Sequence, residues 1–364
     1  MSSNSLFKRR AKPDVVANTS EGKGTKTSKV LGLRKCVEPQ DAIRAIDVIF
    51  VHGLTGDREK TWTHQSTSRF WPEELLPTDL PDARIFTYGY DADVAHFFSR
   101  VSQSRIGDHA QTLLNSVAHV RERTETSDRP LFFVAHSLGG LVVEDMLLSA
   151  KNSAEDYCRE ILESTSGVAF MGTPHCGSQL AVWAKMGTSM AKLVKRVNDS
   201  VITVLEPESE VLARIQQEFH TMIRARNDAG KHSMRITCFF EDLETPGVGL
   251  VVPKDSAILP AYSSISIPKD HAGMTKFADT EDSGYQRVSG ELWIWARDVN
   301  KRRNRAFRES DATPPVRPPE RPQMLLESSN TANRPPASYF QGSMNNVGQV
   351  FQGSNIGTYY GGRS

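Results

Sequence analysis

A serine hydroxyl becomes a nucleophile when three things surround it: a base, a carboxylate that orients the base, and amide donors facing the developing oxyanion. The run "LFFVAHSLGGLVVEDML", Leu131 to Leu147, offers such a serine. An apolar stretch leads into Ala135-His136-Ser137-Leu138-Gly139-Gly140, and a second apolar stretch of helical character follows. Strand, sharp turn with serine at the tip, then helix is the order of a nucleophile elbow. Small residues two before and two after the serine let strand and helix approach closely, so Gly139 fits and Ala135, in place of glycine, departs by one methyl. The helix N-terminus behind Ser137 supplies N–H donors and the positive end of a dipole.

The remaining parts must come from elsewhere in the chain. "FVHGLTGD" places Gly53 and Leu54 directly after an apolar run. A loop at that point supplies one oxyanion donor and the residue after the nucleophile the other, which assigns the amides of Leu54 and Leu138. The chain order of such a triad is serine, acid, histidine. Of ten histidines, His271 in "IPKDHAGM" follows the last strand-like segment and is the expected base. His136 adjoins the serine and belongs to the elbow; His175 in "GTPHCG" is expected to shape the pocket. The acid should follow the strand "RITCFF", which leaves Glu241, favoured because it leaves the strand directly, and Asp242 as the alternative. Asp255 lies further on, and Asp270, beside the histidine, reads as a loop residue.

Segments able to hold these residues alternate along the chain. "AIDVIFVHG", "ARIFTYGY", "PLFFVA", "GVAFMG", "RITCFF" and "YSSISI" read as strands. "IGDHAQTLLNSVAHVRERT", "GLVVEDMLLSA" and "YQRVSGELWIWARDVNK" read as helices. Such alternation predicts a mainly parallel sheet with helices on both faces. The long stretch between "GVAFMG" and "RITCFF" predicts a helical cap over approximately residues 177–230. Within it, "QLAVWAKMGTSMAKLVKRV" mixes Leu180, Trp183, Met186 and Leu193 with Lys185, Lys192, Lys195 and Arg196; an amphipathic basic helix of this kind is a candidate membrane contact. Four zones follow: a disordered polar N-terminus (1–28), the catalytic domain (29–302), a Pro-rich linker (303–337) and a terminal motif (338–364).

The 364-residue chain has a formal net charge of +1, which gives no case for nucleic-acid binding. The four cysteines, Cys36, Cys158, Cys176 and Cys238, are scattered, arguing against a zinc site or a disulfide framework. With no apolar leader and no membrane span in view, a reducing, cytoplasmic setting is expected. The chemistry itself calls for no metal or cofactor.

"DVIFVHGLTGDREKTWT", "FWPEELLP", "ARIFTYGYDADV", "RPLFFVAHSLGGLVVEDMLL", "GVAFMGTPHCGS", "VVPKDSAILP" and "DHAGM" occur in order. Together they resemble the serine-esterase and lipase-like α/β hydrolases of fungi. These form N-terminal domains of NOD-like receptors (STAND proteins) or stand alone as SesB-like proteins, and are related to the PGAP-type lipases. The resemblance covers about Val30 to Lys301. It implies cleavage of carboxylic or lipid esters through Ser137, His271 and an acid near Glu241; an acyltransferase with the same triad is the alternative, as is a scaffold that signals through its tail. Similar sequences often carry lysine where Glu144 stands, a departure not expected to affect the chemistry.

The C-terminus repeats itself, "FQGSMNNVG" at Phe340 and "FQGSNIG" at Phe351, with almost no charge and several Asn and aromatic residues. That composition suits stacked β-arches. It resembles the σ-type amyloid signalling motif attached to SesB-like proteins. The resemblance implies self-assembly through residues 338–364, templating by a NOD-like receptor with a matching motif, and a cell-death (heterokaryon incompatibility) output.

Overall fold

The computed structural model describes residues 31–92, 103–175, 188–190, 192, 209–228 and 233–311. Seven strands form one sheet: β1 (Gly32–Val37), β2 (Ile46–Val51), β3 (Ala83–Gly89), β4 (Leu131–His136), β5 (Thr165–Met171), β6 (Arg235–Glu241) and β7 (Ser263–Ile267). Their spatial order is β1-β3-β2-β4-β5-β6-β7. Only β1 runs antiparallel, against β3; all other pairs are parallel. The central strands are buried along their whole length because helices cover both faces, which is why they read as unbroken apolar runs. This is the α/β-hydrolase arrangement expected from the sequence.

On one face lie α1 (Gln103–Arg123), α2 (Gly139–Asn152), α3 (Asp156–Ser164) and α4 (Ser209–Asp228). α1 turns Ile106, Ala110, Leu113, Leu114 and Val117 inward at helical spacing. The other face is closed by α5 (Ser283–Asp311), which buries Tyr285, Val288, Leu292 and Trp295. Trp295 stands edge-on to Phe132 at 5.6 Å. It also leaves no room for a side chain at Gly167.

An aromatic knot on this second face reaches the future site. Phe50, Trp62 and Trp71 meet edge to face, with centroids 5.0 Å apart for both Phe50 pairs. Pairs of this geometry add roughly 0.5–1.5 kcal/mol each beyond the area they bury. The Trp71 indole N–H donates to the Thr275 carbonyl at 2.8 Å, and the Thr275 hydroxyl donates to the Thr61 carbonyl at 2.8 Å. The core thus pins the loop that follows β7.

At the opposite end of the sheet, Asp47 on β2 is buried among cations. Arg84 donates to both of its oxygens at 2.8 and 2.7 Å, and Arg121 adds a third bond at 2.6 Å. A buried carboxylate is tolerated only with such full pairing.

Several elements differ from the sequence reading. β1 and α3 are additions. Residues 209–228, expected within the cap, instead form α4, which sets Ile215, Phe219, Met222 and Ile223 into the core beside α2. The last helix continues to Asp311, so the expected boundary at 302 falls inside it. Most of the expected cap, the N-terminal zone, the linker beyond Asp311 and the terminal motif lie outside the described residues. No helix among the described residues is long and apolar enough to cross a membrane.

Candidate active site

The elbow exists and is strained. Ser137, between β4 and α2, holds φ at 53°, in the left-handed region that a residue with a Cβ enters only at a cost. What holds it there is close packing. A methyl on Gly139 would strike the carbonyls at the end of β2, and one on Gly53 would lie 2.7 Å from the Ser137 Cβ. Glycine at both positions lets the β2 loop, the elbow and the first turn of α2 share one small volume. Ala135 is fully buried, and its methyl is accommodated. The Ser137 amide donates to the Met171 carbonyl at 2.8 Å, fixing the turn to β5.

His271 arrives from the loop after β7. Its Nε2 stands 3.0 Å from Ser137 Oγ. Three contacts place the ring. Gly172, with φ at 60°, leaves the space that a Cβ would crowd to 3.0 Å from His271 Cε1. The His136 Nε2 donates to the His271 carbonyl at 3.0 Å, and the two rings lie 4.9 Å apart. Burial first, and the neighbouring His271 and Lys276 next, push His136 well below its ordinary pKa. It is therefore neutral, and its one ring proton is committed to that carbonyl.

Of the two candidate acids the geometry selects Glu241. It closes β6, is buried, and its Oε1 lies 3.4 Å from His271 Nδ1. The same oxygen accepts the Val252 amide at 2.6 Å. The Nδ1 separation is longer than an ideal hydrogen bond; catalytic contacts of this kind tighten when substrate is bound. Asp242 is exposed, its amide tied to the Ile267 and Lys269 carbonyls. Asp255 is exposed as well, and Asp270 spends its Oδ1 on the Gly273 amide at 2.8 Å.

Neither the Leu54 nor the Leu138 amide has an acceptor among the described residues. Leu138 caps the N-terminus of α2, so its N–H lies at the positive end of that helix. Thr55, next to Leu54, has φ at 54° and donates its amide to the Ala92 carbonyl at 2.8 Å, holding the loop turned inward. His52, before it, stacks on Tyr90 at 4.4 Å.

A cavity of about 270 Å³ opens over this group, lined among others by Leu54, Thr61, Ser137, Met190 and His271. His136 reaches it but His175 does not. The expectation that His175 shapes the pocket is thus corrected. It is buried under α2, its Nδ1 3.1 Å from Glu144 Oε1. Burial works against its charge, but the neighbouring Cys238 and Glu144 outweigh that and lift its pKa to about 9. This pair was missed from sequence; glutamate within an apolar helical run was its one signal.

Residues 47–213 match the model of a family described as "Putative serine esterase (DUF676)". That span holds Gly53, Leu54 and Ser137 and ends before Glu241 and His271. Protein SERAC1 of Bos taurus is 28% identical over 263 residues, covering 66% of this chain and 38% of the relative. Its Homo sapiens counterpart is 27% identical over the same length and shares. The chain thus spans well under half the length of the curated relatives it matches. Among solved structures, a soluble variant of monoglyceride lipase from Saccharomyces cerevisiae is 11% identical, with 72% of this chain and 90% of that chain covered and a TM-score of 0.37. A likeness of that size says nothing about chemistry.

Proposed function

We propose that this chain is a serine hydrolase that cleaves carboxylic esters, lipid esters among them, through Ser137, His271 and Glu241. The 3.0 Å approach of His271 Nε2 to Ser137 Oγ supports the reading most directly. His271 takes the serine proton as Oγ attacks the ester carbonyl carbon. The oxyanion meets the Leu54 and Leu138 amides. Collapse expels the alcohol, which leaves with the proton from His271. A water then gives its proton to the same ring and attacks the acyl-enzyme, releasing the acid and restoring Ser137. Glu241 keeps the imidazole oriented and steadies its charge.

The test is hydrolysis of para-nitrophenyl butyrate by the full chain, with covalent labelling by a fluorophosphonate. Ser137→Ala is expected to abolish labelling and to lower kcat by about 10⁴ or more. Unchanged turnover in that variant removes the proposal.

The C-terminal near-repeat supports a second layer of the same reading, in which residues 338–364 assemble with copies of themselves or with a receptor motif of matching sequence, and the hydrolase acts as a cell-death effector once gathered. A peptide of residues 338–364 is expected to form fibrils with a cross-β diffraction pattern; a peptide that stays monomeric removes this layer alone.

A further inference from the structure

We propose that the cavity over Ser137 recognises an anionic group on its ester substrate, a carboxylate or a phosphate, through Lys60 and Lys276. The inference rests on the esterase reading above and extends it to substrate class.

Both lysines line the same cavity as Ser137 and His271. They stand on two loops joined at one point: the Thr275 hydroxyl donates to the Thr61 carbonyl at 2.8 Å, and each lysine is the immediate chain neighbour of one of those threonines. Two lysines are thus carried to one cavity by a fixed link, which the Trp71 indole also holds.

Neither Lys60 nor Lys276 is held in a close ion pair among the described residues, whereas Lys35 and Lys269 have carboxylate partners, Glu38 and Asp282. Lys276 donates to the Ala272 carbonyl at 2.5 Å, a neutral acceptor. Two carboxylates lie nearby: Asp57, which also lines the cavity and accepts the Glu59 and Lys60 amides through Oδ1 at 2.9 and 3.1 Å, and Asp270, whose Oδ1 accepts the Gly273 amide at 2.8 Å and whose charge favours the Lys276 ammonium. Burial pulls the Lys276 pKa below its ordinary value, the mark of an ammonium short of solvent. An anion docked there restores what desolvation removed. Leu54 and Met190 add apolar surface to the same cavity, so the favoured substrate joins a short apolar portion to an anionic one.

Matched soluble esters separate the two sources of charge. Para-nitrophenyl hemisuccinate is compared with para-nitrophenyl butyrate for a carboxylate on the acyl side, and butyrylglycerophosphate with butyrylglycerol for a phosphate on the alcohol side. The wild-type chain is expected to prefer one anionic member of these pairs by about tenfold or more in kcat/KM, expressed in KM. Lys276→Met and Lys60→Met should each erode that ratio, and Lys276→Arg should keep it. Lys60 is exposed, so its variant stands even where Lys276→Met disturbs the loop. Cleavage of the neutral esters with no anionic preference, or a preference that neither methionine variant alters, overturns the inference and leaves the esterase reading intact. Failure to cleave any of the four, with Ser137 unlabelled by fluorophosphonate, removes both.

Discussion

His271 Nε2 lies 3.0 Å from Ser137 Oγ although 134 positions of chain separate them. One residue sits on a tight turn at the end of β4, the other on a loop after β7 that the Trp71–Thr275–Thr61 hydrogen bonds tie to the core. The meeting is a product of the sheet: parallel strands β4 to β7 all end at the same edge, so the loops after them share one space.

Glu241 and Asp242 are adjacent yet face different surroundings. Glu241→Gln is expected to lower kcat by about 10⁴, since the imidazole then loses the partner that fixes its tautomer. Asp242→Asn should remain within about threefold of wild type, because exposed groups of this kind interact weakly. Steady-state kinetics on a para-nitrophenyl ester decide the matter; equal loss in both would reject the assignment.

Gly53→Ala sets a methyl where Ser137 Cβ and the His136 carbonyl already lie, at 2.7 and 2.8 Å. The loop must withdraw, carrying the Leu54 amide with it. Losing one oxyanion donor costs about 10²–10³ in kcat. KM should change far less, and fluorophosphonate labelling should slow in parallel with kcat.

Asp47 neutralises a buried arginine cluster far from the chemistry. Asp47→Ala leaves Arg84 and Arg121 charged and unpaired, and is expected to destabilise by about 3–5 kcal/mol. Urea unfolding should show a lower midpoint with little change in slope. A shift under about 1 kcal/mol would mean the cluster is far better hydrated than its burial indicates.

His175 titrates at about 9 when folded, above its ordinary 6.5, so the folded state holds the proton more tightly than the unfolded one. The stabilisation from its contacts with Cys238 and Glu144 is complete below pH 6.5 and is lost as pH rises through about 9. Melting temperature should therefore fall across that window. Glu144→Gln should flatten the slope, and a wild-type-like slope in that variant would assign the effect elsewhere.

Patterns confined to a few neighbouring residues were legible without coordinates. The elbow is local, because a strained turn between a buried strand and a helix demands small residues at fixed offsets, and Ser137, Leu138 and Gly139 carry that demand in one run. The apolar runs of β2, β3 and β4 were equally plain, since strands covered on both faces leave no polar alternation. β1 was not: it is a half-buried edge strand, and "GLRKCV" has too few apolar positions to stand out. α3 hides its helical character in nine residues that bury only Cys158, Ile161 and Leu162.

By itself, then, the sequence determined the layered sheet and pointed to the serine and histidine that the structure brings together, since each is written in residue types at short spacing or in chain order. Tertiary structure alone decided between Glu241 and Asp242, because the Val252 amide and the His271 ring that single out one carboxylate come from other segments. It alone paired Glu144 with His175, and it alone brought Lys60 and Lys276 to one cavity. Charges meet in three dimensions, and no spacing along the chain encodes which of them will share a cavity.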